Sequence, residues 1–129
     1  MSDIKINGNK YDLLYNGAAM FNIRELCGEI TMTEAMKGDD AEAFERLCCI
    51  AAELAKQGEL LRRFMGEDAL PILTADEIKA TLSPLGAVRL RTAVINAVIE
   101  GYKRSTAKEN EEIDLGLAEL NQKKRPSWG

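Results

Sequence analysis

With 129 residues, 46% of them hydrophobic, and a formal net charge of −4, the chain is long enough for one domain with a buried core and has an ordinary globular balance. An acidic chain neutralises phosphates poorly, which argues against nucleic-acid binding. No apolar run approaches the ~18 residues of a membrane span, and the first residues lack the cationic start and apolar run of a signal peptide, so a cytoplasmic protein is expected.

The first element expected is a β-hairpin within residues 3–16. Ile4 and Ile6 alternate with polar neighbours, Asn7-Gly8 tolerates positive φ, and Tyr11, Leu13 and Tyr15 alternate again. Two strands alone are marginal, so their apolar face must lie on other elements. GAAMFNIRELCGEI then has helical spacing, with Ala19, Met20, Ile23, Leu26 and Cys27 on one face and Gly28 as a C-terminal cap. TMTEAMKG adds a short turn or two.

DDAEAFERLCCIAAELAKQG is the clearest amphipathic helix. Ala43, Phe44, Leu47, Cys48, Ile50, Ala51, Leu54 and Ala55 share an arc, while Glu42, Glu45, Arg46, Glu53 and Lys56 take the other side. Asp39 or Asp40 is expected to cap its start and Gly58 its end. Cys48 falls on the core face and Cys49 on the polar face, which makes Cys49 the expected accessible thiol. ELLRRFMGED supplies another helical turn or two before Pro71. TADEIKATL carries a capping box, Thr74 with Glu77.

SPLGAVRLRTAVINAVIEGYKRS follows, with Ser83 as N-cap and Pro84 at the first helical position. From Leu85 to Tyr102 its apolar residues cover most of the wheel, leaving a narrow polar strip of Arg89, Asn96 and Glu100. A helix this apolar is either the centre of a bundle or has a second face docked on another chain. Leu90, Val94, Val98 and Tyr102 are the candidate partner or self-association surface. Residues 105–129 are mostly polar, with a weak helical signal at Ile113, Leu117 and Leu120. Such a tail buries too little apolar area to offset its ordering entropy and is expected to be flexible. The fold expected is therefore mainly α: a small domain of about four to five helices over 1–104 with an N-terminal hairpin, then the tail.

Catalytic chemistry finds little support. The sequence has no histidine, the commonest general base and metal ligand. Cys27, Cys48 and Cys49 have neither metal-ligand spacing nor the even count of a disulfide framework. No Gly-rich phosphate loop is present, and the acid pairs Asp39-Asp40 and Glu111-Glu112 are explained by a helix start and a solvated charge run. The expectation is a non-enzyme with no catalytic, metal or cofactor-binding residues.

Taken in order, IKINGNKYDLLYN, IRELCGE, FERLCCIAAELA and LTADEIKATLSPLGAVRLRTAVINAVIEGY, ahead of a polar tail with paired lysines, resemble the tail assembly chaperones of long-tailed, siphovirus-type bacteriophages and prophages. The resemblance runs over roughly residues 3 to 104. It implies a protein that coats and solubilises the tape-measure protein, helps recruit the major tail (tube) protein, and associates with itself. It implies no catalytic residues, no nucleic-acid or membrane partner, residence in the host bacterial cytoplasm, and absence from the mature virion. It also implies a longer form made by programmed −1 frameshifting near the C-terminus. Adenine-rich lysine codons at Lys123 and Lys124 suit such slippage, and Trp128 then follows the slip point with no structural duty. Two alternatives stay open. One is another phage morphogenesis protein, such as a head–tail connector that remains in the virion. The other is a small helical DNA-binding regulator, suggested by the helices starting after Thr74 and Ser83 but opposed by the second helix's apolar surface.

Overall fold

The computed structural model describes residues 2–28, 32–68 and 70–123, and only the backbone at 32, 33 and 105–123. The chain is mainly helical, with an N-terminal two-stranded antiparallel hairpin. Strands β1 (Asp3–Ile6) and β2 (Asn9–Asp12) pair Ile4 with Tyr11 and Ile6 with Asn9. Asn7 at φ 53° and Gly8 at φ 83° close the hairpin; both angles are positive, as a type I′ turn requires. Among the described residues five helical segments follow: α1 (Gly17–Cys27), α2 (Met32–Ala35), α3 (Ala41–Phe64), α4 (Ala75–Thr81) and α5 (Pro84–Lys123).

Most helix starts follow from their capping residues. Asn16 Oδ1 accepts the Ala19 N–H at 2.9 Å and Asp40 Oδ1 the Ala43 N–H at 2.8 Å. Thr74 Oγ1 accepts from Glu77 N at 3.2 Å, and Ser83 Oγ from Gly86 N at 2.9 Å. Each satisfies a backbone donor that the first helical turn leaves orphaned.

Helix α3 is the axis of the core, burying Leu47, Cys48, Ile50, Ala51, Leu54 and Ala55. It does not stop at Gly58 as the sequence suggests; it runs on to Phe64. Gly58 serves a crossing instead. A Cβ there would overlap the Asp12 carbonyl oxygen, so glycine lets the chain leaving β2 lie against the helix backbone. One step later Leu14 N donates to Leu54 O at 3.1 Å. Gly101 of α5 repeats the device, since a Cβ there would overlap the carbonyl oxygen of Tyr15. The extended segment Asp12–Tyr15 thus meets α3 at one glycine and α5 at another, with Leu13, Leu14 and Tyr15 buried.

Helix α5 also continues past the expected boundary near Arg104, with helical backbone to Lys123. Residues 103–123 are rich in strong helix formers (Lys, Arg, Ala, Glu, Leu, Gln), and the first proline beyond Pro84 is Pro126. Once the packed turns nucleate the helix, such residues extend it at little cost each. Lys123 is its last residue; Lys124 and Trp128 lie outside the described residues.

Two arginines close the α2–α3 corner. Arg46 donates to the carbonyls of Ala35 (3.2 Å) and Lys37 (3.1 Å), and Arg91 to those of Gly38 (2.9 Å) and Met36. These oxygens follow a helix end, where intrahelical donors have run out and cations are favoured.

Candidate protein-binding surface

The four residues singled out on α5 part company. Leu90 and Val94 are fully buried and Val98 nearly so, whereas Tyr102 is 52% exposed. Leu90, Val94 and Val98 belong to the chain's own core and are not a free surface. The error is geometric. A step of four residues advances ~40° beyond a full turn of a 3.6-residue helix. The series 90, 94, 98, 102 therefore begins facing the core and ends facing outward.

The exposed apolar residues of α5 form a second stripe. Leu85 (59% exposed), Val88 (63%), Ile95 (38%), Ile99 (46%) and Tyr102 stand on it, with exposed Thr92 in the one polar place. The intervals from 85 to 102 are three, four, three, four and three residues, the spacing that keeps a seam on one side of a helix. The core-facing stripe, Leu90, Val94, Ala97 and Gly101, has the complementary four-three-four spacing. Between them this leaves only the narrow polar strip expected: Arg89 and Asn96 are exposed. Glu100 accepts from Ser2 N (3.0 Å) and Ser2 Oγ (2.9 Å), bonds that hold its carboxyl below the ordinary range. Tyr102 is steadied at the stripe's end by Tyr15, with hydroxyls 3.3 Å apart and ring centroids 5.3 Å apart.

A second exposed apolar tract ends α3. Phe64 is 86% exposed and Met65 64%, with Leu60 and Leu61 beside them also exposed. The sequence hides this tract because the segment reads as a short isolated turn once Gly58 is taken for a cap. Below it, Arg62 pairs with Asp12 at 2.7 Å. Buried Glu59 accepts the Leu70 N–H at 2.6 Å, and Arg63 donates to the Leu70 carbonyl at 3.2 Å. The tract therefore projects from a braced helix end.

The polar groups that are buried serve packing. Glu53, expected on the solvent side of α3, is buried under α1, where Asn22 Nδ2 and Gln57 Nε2 donate to its Oε1. Such bonds offset the cost of taking a carboxylate out of water. Glu59 Oε1 is buried without a hydrogen-bond partner. A half-open hollow of about 180 Å³ lies between α5 and the start of α3, lined by Met36, Phe44, Leu47, Val88 and Arg91. It is apolar apart from its rim, and Asp40 on that rim is already engaged as the cap of α3. Cys48 is fully buried, which pushes its thiol up to about 11; Cys49 is half-buried. Among the described residues, no group of three or more Cys, Asp or Glu is placed to hold a metal ion. Among the same residues, no helix is long and apolar enough to cross a membrane.

Among the described residues, exposed apolar side chains on the helices stand beside a second, more polar hollow of about 400 Å³ lined by Asp3, Lys5, Ser83, Leu85 and Arg89. No protein-family model, curated protein or solved structure matches the chain.

Proposed function

We propose that this chain is a phage tail assembly chaperone, which lends apolar helix surface to a long helical client and makes or breaks no bond. The observation that carries this reading is the placing of large apolar side chains, exposed, on three different helices: Phe21 and Leu26 of α1, the end of α3 and the outer stripe of α5. An enzyme concentrates its apolar surface around a pocket with convergent polar groups. A coat protein needs one tract for its client and one for its neighbours, and binds through many modest contacts whose avidity is lost once assembly displaces them. On this reading the tract at Phe64 and Met65 meets apolar ridges of the tape-measure protein by helix-to-helix contact, methionine and phenylalanine being adaptable fillers for an irregular helical client. The tube protein is recruited later by a longer form produced by −1 frameshifting near Lys123 and Lys124. The protein acts in the host cytoplasm and leaves before the virion is complete.

Co-expression with the tape-measure protein of the same phage tests the reading. The client is expected in the soluble fraction and co-purifying with the wild-type chain, and to return to the pellet with Phe64→Asp/Met65→Asp. Equal client solubility with and without the chain overturns it. The nucleotide sequence across codons 121–126 tests the frameshift separately. A slippery heptamer with an open overlapping −1 frame is expected, and its absence removes the longer form.

A further inference from the structure

We propose that the outer stripe of α5 is covered by the same stripe of a second copy, the two helices running antiparallel about a two-fold axis between Thr92 and Ile95. This rests on the reading of α5 as the neighbour-binding tract, and it names the neighbour and the register. The stripe's own symmetry points there. Intervals of three, four, three, four and three residues are the same from either end. Antiparallel superposition therefore sets Leu85 against the partner's Tyr102, Val88 against the partner's Ile99, and Thr92 against the partner's Ile95. Every exposed apolar residue of the stripe then has a counterpart, as an isologous interface requires.

The polar flank of the stripe accommodates the same orientation. Arg89 and Asn96 lie one heptad apart beside the stripe and are both exposed. The two-fold rotation sets each Arg89 guanidinium about two residue levels from the partner's Asn96 amide, about 3 Å along the axis at ~1.5 Å per residue, on the same flank of the seam. Lys103 and Arg104 fall level with the partner's Pro84 and Ser83, clear of its arginines. The helix dipoles also oppose one another.

The seam from Leu85 to Tyr102 is about 26 Å long at 1.5 Å per residue. An interface of this length, with two mixed Thr92–Ile95 layers flanking the axis, lies at the lower end of specific interfaces, whose usual size is about 800 Å² per partner. Interfaces of the usual size span micromolar to picomolar affinity, and a seam this short points to the weak end, on the order of micromolar, which suits a protein that must leave its client.

Sedimentation velocity on the full chain across about 1 to 100 µM brackets that affinity and should show a monomer passing to a dimer. Val88→Asp and Ile95→Asp should stay monomeric with unchanged helical circular dichroism. Disulfide trapping reads the register independently of these variants. In a Cys27→Ser/Cys49→Ser background, Leu85→Cys/Tyr102→Cys should form a covalent dimer on mild oxidation, and neither cysteine alone should. A wild-type monomer throughout, or efficient trapping by Leu85→Cys alone, overturns the proposal. A monomer that still keeps the tape-measure protein soluble defeats the pairing and leaves the chaperone reading standing. A dimer that leaves the client in the pellet does the reverse.

Discussion

The two faces of α5 have nearly the same composition and opposite fates. Leu90, Val94 and Ala97 are 0–1% exposed, while Leu85, Val88 and Ile99 on the outer face are 46–63% exposed. Hydrophobicity does not separate them; geometry does. The inner face is met by α3 and by Tyr15 over Gly101, whereas the outer one, though Tyr15 meets it at Tyr102 and hollows flank it at Leu85 and Val88, keeps its large apolar residues exposed. Burial within a subunit is decided by which face the rest of the chain can cover, and the remainder is left for association.

The sharpest way to break this contrast is to put the same charge on adjacent residues. Val94→Asp should unfold the domain, because an unpaired carboxylate in the core costs at least several kcal/mol, and loss of the cooperative thermal transition would show it. Ile95→Asp, one residue on, should leave the melting temperature within a few degrees and remove the dimer. Next in size is Gly101→Ala, whose Cβ would overlap the Tyr15 carbonyl oxygen. A loss of about 3 kcal/mol, the upper end for overpacking, is expected in urea denaturation, and the same change at exposed Gly17 should cost far less. Thr92→Leu should tighten the dimer about tenfold by making both Thr92–Ile95 layers of the seam wholly apolar, read from the concentration dependence of sedimentation. The smallest effect concerns Glu100. Its carboxyl is held below the ordinary range by the two Ser2 donors, so this contribution is present above the unfolded carboxylate's pKa and is lost as pH falls through the lower folded value. Glu100→Gln should flatten that limb of the stability–pH curve slightly.

Elements whose signal is local were legible in the sequence. Asn7-Gly8 specified the hairpin, and Thr74-Glu77, Ser83-Pro84 and Asp40 marked three helix starts because a cap or a positive φ is satisfied within a few residues. The apolar arc of α3 was equally clear. What failed depends on contacts distant in sequence. Gly58 looks like a helix stop, since glycine at a cap and glycine at a backbone crossing are the same letter; only Asp12 across the contact distinguishes them. Glu53 looks solvated until α1 is laid over it with Asn22. The candidate surface was half legible: the excess apolarity of α5 announced a second face, but which residues turn outward depends on how α3 and the hairpin grip the first. Beyond Arg104 the sequence speaks through its lack of burial, and the helical backbone to Lys123 adds what propensity supplies there.

The grip of Asp12–Tyr15 by α3 and α5 bears on how the chain acquires its shape. Ser2 bonds to Glu100 and Tyr15 meets Tyr102, so the hairpin, marginal on its own, depends on partners near the far end of the domain. Closing so long a loop precedes the contacts that reward it. The domain should accordingly refold more slowly than a bundle of the same helices joined only to their sequence neighbours, and removal of the first fifteen residues should leave α3 and α5 without the wedge that sets them apart.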